Sequence, residues 1–205
     1  GLPAERWDSR SLIRTNNHFG AAEVEWKITQ KKTVRALMPQ IKKGITPVVT
    51  GYIGSTAKKE TTTLGRGGSD YSASIFGVIL YASEIQIWTD VDGMMTCDPR
   101  LVPEARLVPQ ISFQEAAELA YFGAKVLHPK TIQPAVDKNI SVKILNTMNP
   151  KCAGTTILET SQKTKKTIKA ISIKKGISVI NICSSRMLGP HGFMAKIFEC
   201  FAKHQ

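Results

Sequence analysis

The chain has 205 residues, 42% of them hydrophobic and 21% charged, with a formal charge of +12. That is the profile of an ordinary soluble globular protein, long enough for one sizeable domain or for one domain and part of a second. No apolar run is long enough to span a bilayer and no signal-peptide layout opens the chain, so no membrane role is expected.

The first 26 residues read as irregular, with RTNNHFG at 14–20 as their notable stretch. Residues 27–43 alternate lysines with Val34, Leu37, Met38 and Ile41, which predicts an amphipathic helix ended by Gly44. ITPVVTGYI at 45–53 predicts a buried strand running into a glycine turn. Ser69 is the expected N-cap of the next helix, whose apolar face carries Tyr71, Ile75, Val78, Ile79 and Ala82. IQIWT at 85–89 is the following strand, and DVDGMMTCDPR after it is a loop with turn signals at Asp92-Gly93 and Asp98-Pro99. SFQE at 112–115 is a capping box that opens a helix through about Tyr121. Pro129 is the expected first residue of a further helix, ISVKIL at 140–145 a strand, and NPKCAGT at 149–155 a loop. Strands alternating with helices, and apolar on both faces, argue an α/β domain with a mainly parallel sheet.

The texture changes at Thr160, where SQKTKKT reads as a linker. ISIKKGISVINICS then suggests two strand-like halves around Gly176, followed by a helix with Phe193, Ile197, Phe198 and Phe201 on one face. The expected division is 1–159, a linker at 160–170 and a small, incomplete second domain at 171–205. Residues 151–205 hold ten Lys/Arg and two Asp/Glu, so most of the positive charge is in this part. No aromatic residue is interleaved with the lysines and no nucleic-acid motif appears, so a solvated face is expected and no nucleic-acid partner. Cys97, Cys152, Cys183 and Cys200 are widely spaced, which argues against a zinc knuckle or disulfide framework and for reduced thiols.

The segment TTTLGRGGSDYSAS at 61–74 carries the most chemistry. Glycines let backbone N–H groups approach an anion, and a helix N-terminus adds partial positive charge. Arg66 offers a two-pronged donor for a carboxylate or phosphate, Ser69 a hydroxyl, and Asp70 an acceptor for an ammonium group. Together they suit an α-amino acid held by both charged ends; a tight strand–helix turn with an exposed arginine is the plainer reading. The pattern is neither a Walker A motif nor GxGxxG. Asp90, Asp92, Asp98 and Arg100 follow in the 88–100 loop, as Mg²⁺ ligands, as acceptors for a ribose or base, or as turn formers. Lys125 suits a nucleotide phosphate, and His128 before Pro129 has no nucleophile paired with it in the sequence.

GYIGS, TTTLGRGGSDYSA, IWTDVDGMMTCDPR and ISFQEAAELAYFGAKVLHPKTIQPA, in that order, closely resemble the aspartate kinase family of the amino-acid kinase fold. RTNNHFG and VKILNTMNPKCAGT extend the likeness on either side, and NPKCAGT and RMLGPHGF resemble the plant-like, single-function type. ISVINICSSRMLGPHGFMAKIFECF resembles the first β-α unit of an ACT regulatory domain, which is ferredoxin-like. The resemblance implies a carbamate-kinase-like α/β domain that uses ATP and Mg²⁺ to phosphorylate the side-chain carboxylate of L-aspartate. That reaction is the first step toward lysine, threonine, methionine and isoleucine.

Carried over residue by residue, the resemblance implies aspartate binding by Arg66, Gly67, Gly68, Ser69 and Tyr52, with Asp70 as the catalytic residue. It implies ATP binding by Thr89, Asp90, Arg100, Lys125 and Val126. A tyrosine contact seen in some relatives falls on Met95. A lysine effector would meet Met187, Gly192, Phe193 and Met194, and no residue is assigned as a protein metal ligand. The family's opening KFGG-type segment has no counterpart here, so an internal piece of such an enzyme is expected, catalytically incomplete by itself; a non-catalytic ligand-binding or regulatory fragment is the alternative. Homo-oligomers, and a plastid stroma if the source is a plant or otherwise the cytoplasm, are the remaining implications.

Overall fold

The computed structural model describes residues 1–122, 127–160, 168–178, 180–183 and 192–203. They fall into two compact units, Gly1–Lys174 and Lys175–Gln205. In the first, the elements are β1 (Ala4–Trp7), α1 (Ser9–Leu12), α2 (Trp26–Lys42), β2 (Thr46–Val49), β3 (Ile53–Ser55), β4 (Thr61–Thr63) and α3 (Gly68–Ile79). β5 (Glu84–Thr89), β6 (Gln110–Ser112), α4 (Phe113–Tyr121), α5 (Pro129–Asp137), β7 (Ser141–Asn146) and β8 (Thr155–Leu158) follow.

β1 pairs with β2 in parallel, and β3 with β4 in antiparallel. The largest sheet has the order β5-β7-β8-β6, with β5–β7 and β6–β8 parallel and β7–β8 antiparallel. Parallel pairing therefore predominates, as alternating strands and helices require, with the β7–β8 pair as the exception in this sheet. The single strand expected at 45–53 is divided between two sheets. Tyr52 takes a left-handed φ of 75° between β2 and β3, which breaks the extended run.

The main core packs Ile85 and Ile87 of β5, Val142 and Ile144 of β7 and Ile157 of β8 against Phe113, Ala116, Ile132 and Ala135 of α4 and α5. Each such Ile, Val or Phe side chain contributes about 1.5–3 kcal/mol on burial. A second cluster joins Ile13 and Leu64 to Ile75 and Ile79 of α3. Ala73 touches the main core instead, so α3 lies between the two clusters and is apolar on more than the one expected face. α2 follows its predicted period only in part: Leu37 is buried with Thr29 and Thr33, whereas Ile41 is exposed.

The capping box is formed: Ser112 Oγ accepts from the Glu115 N–H and the Glu115 carboxylate accepts from the Ser112 N–H. Pro129 opens α5, where its missing N–H costs nothing. Residues 168–174 pack on this unit: the Ile171 N–H donates to the Thr96 carbonyl at 2.8 Å, and Lys169 pairs with Glu115 at 2.8 Å.

In the second unit, α6 (Phe193–Ala202) starts after Gly192, whose φ is 81°. The strand-like halves expected around Gly176 form no strand among the described residues. Ile177, Ile180 and Ile182 stay exposed, because a strand without a hydrogen-bonded neighbour and a covered face does not persist.

Candidate functional site

α3 returns to β5 through a short turn, so the two run in opposite directions. The α3 N-terminus therefore lies at the end of the sheet where β5 finishes. α5 and β7 repeat this arrangement, and β5 and β7 are parallel neighbours. The N-termini of α3 and α5 and the carboxyl ends of β5 and β7 thus share one edge, the edge where α/β sheets bind ligands.

The α3 mouth is built by glycines in backbone conformations that side chains rarely adopt. Gly65 and Gly67 have φ of 82° and 69°, and Gly67 rather than Ser69 is the N-cap. The helix begins one residue earlier than Ser69 because a left-handed glycine, not a hydroxyl, turns the chain. A Cβ on Gly67 would come within 2.7 Å of Thr131 Cγ2 in the first turn of α5. One on Gly68 would come within 2.7 Å of the Tyr52 ring. Tyr52 is held in its left-handed backbone by two bonds, from its N–H to Ser72 Oγ and to its carbonyl from the Leu64 N–H, both at 2.9 Å. Ser72 Oγ in turn donates to the Gly68 carbonyl at 2.8 Å.

Arg66 stands between the two left-handed glycines, exposed, and makes no ion pair among the described residues. Ser69 lies in the first turn, where backbone N–H groups have no carbonyl within the helix. Asp70 follows it, half-buried; burial pushes its carboxyl above the usual range, and a hydrogen bond from Ser69 partly opposes this. The arrangement sets an exposed guanidinium at a helix N-terminus whose first turn carries a partly desolvated carboxylate. It can hold an anion, and next to it a cation or hydrogen-bond donor.

The second group of expected residues begins at the end of β5. Thr89 Oγ1 donates to Asp90 Oδ1 at 3.1 Å, and the Thr147 N–H donates to the Thr89 carbonyl at 2.8 Å. Arg100 lies in a two-pronged pair with Asp98, with Nη2 to Oδ2 at 2.7 Å and Nε to Oδ1 at 3.0 Å, which holds its guanidinium pKa up. Met95 bridges to Leu107. Asp92, open in the sequence between metal ligand, ribose acceptor and turn former, accepts amide hydrogen bonds from Asn146 and Asn149. Lys125 and Val126 lie outside the described residues, as does Met187. Gly192, Phe193 and Met194 form the start of α6.

Three residues of this edge were missed by sequence reasoning: Asn146 and Asn149, distant in sequence from Asp92, and Thr131, which packs against the α3 mouth from α5 beside His128. The only local signal was the proline that opens α5, with His128 as its N-cap.

Residues 1–146 match the model of the "Amino acid kinase family". The chain is 48% identical over 161 residues to aspartokinase 2, chloroplastic, of Arabidopsis thaliana, a stretch covering 78% of this chain and 30% of that protein. It is 39% identical over 203 residues to lysine-sensitive aspartokinase 3 of Escherichia coli, covering 99% of this chain and 45% of that one. The crystal structure of E. coli aspartokinase III in complex with aspartate and ADP superposes with a TM-score of 0.81 at 38% identity. That superposition covers 99% of this chain and 45% of the E. coli chain. The chain thus spans less than half the length of these relatives.

Proposed function

We propose, from the premise that this chain belongs to the amino acid kinase family, that it supplies the aspartate clamp and part of the nucleotide site of an aspartate kinase. The reaction is attack of the L-aspartate side-chain carboxylate on the γ-phosphorus of ATP, with cleavage of the bond to ADP, giving 4-phospho-L-aspartate. The observation that carries this reading is the α3 mouth: an exposed arginine without an ion-pair partner among the described residues, in a glycine turn closed by Tyr52. The aspartate and ADP in the superposed E. coli structure support the assignment of both ligands.

Phosphoryl transfer asks the protein chiefly to hold two anions in line and offset their charge. Arg66 is assigned to the substrate α-carboxylate, helped by the N–H groups of Gly67 and Ser69, with Gly68, whose N–H closes the turn onto the Gly65 carbonyl, lying against the same ligand. Asp70 is assigned as the catalytic residue that orients the substrate through its ammonium end. Thr89, Asp90 and Arg100, with Lys125 and Val126, are assigned to ATP. Mg²⁺ accompanying the nucleotide needs only one or two carboxylates, and the exposed Asp90 at the end of β5 fits that demand. When bound, Mg²⁺ offsets charge on the phosphates. Gly192, Phe193 and Met194, with Met187, are assigned to a lysine effector; a crystal structure of E. coli aspartokinase III in complex with lysine and aspartate, 37% identical with a TM-score of 0.73, supports such a ligand. Residues 171–205 are assigned to part of an ACT module, homo-oligomers to the full-length protein, and a plastid stroma as the location if the source is a plant, after its chloroplastic relatives.

The test is a calorimetric titration of the chain with L-aspartate, L-glutamate and Mg-ADP. Binding of L-aspartate at least about tenfold tighter than L-glutamate, together with Mg-ADP binding, is the expected result. Equal affinity for both amino acids, or preference for L-glutamate, would contradict the substrate assignment.

A further inference from the structure

We propose that Asp92 is a positioning residue for nucleotide binding: its carboxylate ties the 90–95 loop to the end of β7 and so fixes Thr89 and Asp90. The inference rests on the nucleotide reading above, and goes beyond it by giving a role to an acid that the reading leaves without one.

A single oxygen, Asp92 Oδ1, accepts from Asn146 Nδ2 at 2.7 Å and from Asn149 Nδ2 at 3.1 Å. Asn146 is the last residue of β7 and is only 9% exposed. Its own Oδ1 accepts from the Met148 N–H at 2.9 Å, so its NH₂ group is committed toward Asp92. The orientation of that amide is thus set by its partners on both sides. In the register of the sheet, Asn146 is opposite Thr89. The loop is therefore held by Asp92 beside the strand pair whose ends carry the nucleotide residues.

The residues after Asp92 complete the attachment. Gly93 has φ of 138°, and a Cβ there would come within 2.5 Å of Thr155 Oγ1. Thr155 Oγ1 accepts from the Met94 N–H at 2.8 Å and donates to the Val108 carbonyl at 2.7 Å. Cys152 Sγ approaches the Asp92 carbonyl at 3.8 Å. Asp92 Oδ1 receives two amide donors, and it is this acceptor capacity, rather than the charge, that the proposal assigns to the position.

This separates two roles by one conservative change. Asp92→Asn keeps an oxygen able to accept from both asparagines and removes the charge; Asp92→Ala removes the acceptor. The experiment is Mg-ADP and L-aspartate titration of the whole chain and both variants, with amide hydrogen exchange of residues 90–95 without ligand. Asp92→Ala is expected to lose at least about tenfold in Mg-ADP affinity and to speed exchange in the loop, leaving L-aspartate affinity within about twofold, since the buried Asn146 amide loses its acceptor while the exposed Asn149 turns to water. Asp92→Asn is expected to stay within about threefold of wild type in Mg-ADP affinity, with loop protection retained.

Equal loss in both variants, with loop protection kept in Asp92→Asn, would overturn the proposal in favour of a charge or metal-ligand role. Unchanged exchange in Asp92→Ala would show that the carboxylate does not hold the loop, whatever the nucleotide affinity. Faster exchange with unchanged Mg-ADP affinity would overturn the positioning role while leaving the nucleotide reading standing. If wild type binds no Mg-ADP, the nucleotide reading fails and the positioning role with it, while the exchange data still decide whether Asp92 anchors the loop.

Discussion

The sheet of the first unit and the described residues of the second are built from similar material with opposite outcomes. Ile144 and Ile157 are 0% exposed, whereas Ile177 and Ile180 are 57% and 65% exposed. Both stretches are β-branched; the segment of Ile144 and that of Ile177 and Ile180 read as strands, and Ile157 lies in a strand that the sequence reading did not single out. The first set lies in strands hydrogen-bonded to neighbours and covered by α4 and α5; the second has no strand partner among the described residues. Apolar alternation marks a segment that can become a strand. A paired edge and a covering layer decide whether it does.

Two glycines sharpen this contrast. Gly154 and Gly176 have the same φ of 72°, but a Cβ on Gly154 would come within 2.1 Å of the Ile144 carbonyl oxygen, while nothing lies within 4 Å of one on Gly176. Gly154→Ala combines a left-handed alanine with a backbone clash and is expected to cost at least about 4 kcal/mol, or to prevent cooperative folding. Gly176→Ala should leave the main urea transition where it is. Equal midpoints for the two variants would break the distinction.

The next largest effect lies in the core. Ile157→Ala empties a fully buried site and should cost about 2–5 kcal/mol. Ile180→Ala, at an exposed site, should change stability by less than about 0.5 kcal/mol. Chemical denaturation of both variants checks the pair, and a large loss in Ile180→Ala would mean that Ile180 is covered in solution.

Ser112→Ala removes one half of the capping box of α4 and is expected to cost about 1 kcal/mol. Ser112→Asp should recover most of it, and failure to do so would argue that the serine acts by size rather than as an acceptor.

The smallest effect is electrostatic and has a definite sign. Burial raises the Asp70 carboxyl above its ordinary value, so the folded state binds a proton more readily than the unfolded chain. Its ionised form therefore works against folding above the folded pKa, and that penalty is relieved as pH falls through it. Asp70→Asn should raise Tm at pH 7, with the gain disappearing once the pH is below the ordinary Asp range. A gain independent of pH would point to packing instead. The same substitution should reduce any phosphoryl transfer, a trade of stability for function.

What the sequence made legible was local. SFQE predicted a capping box that the structure contains, and Pro129 predicted the start of α5. Gly-Arg-Gly-Gly predicted a glycine turn at a helix mouth, and the structure contains it, with Arg66 exposed. The N-cap itself was misplaced onto Ser69, since hydroxyl preference is a statistical signal and the left-handed Gly67 is a geometric necessity. The break at Tyr52 was not legible, because a tyrosine with φ of 75° is held there by Ser72 and Leu64, which follow it in the chain. Asp92 was ambiguous for the same reason. Its partners are 54 and 57 residues away, and only the pairing of β5 with β7 brings them together.

The most direct measurement is calorimetric titration of wild type and Arg66→Ala with L-aspartate. A carboxylate clamp at the α3 mouth predicts saturable binding to wild type and a loss of at least about tenfold in the variant, the size expected for a charge-assisted, two-pronged contact. Equal affinity in the two proteins, with both folded by circular dichroism, would contradict the claim that the exposed arginine of the glycine turn receives the substrate.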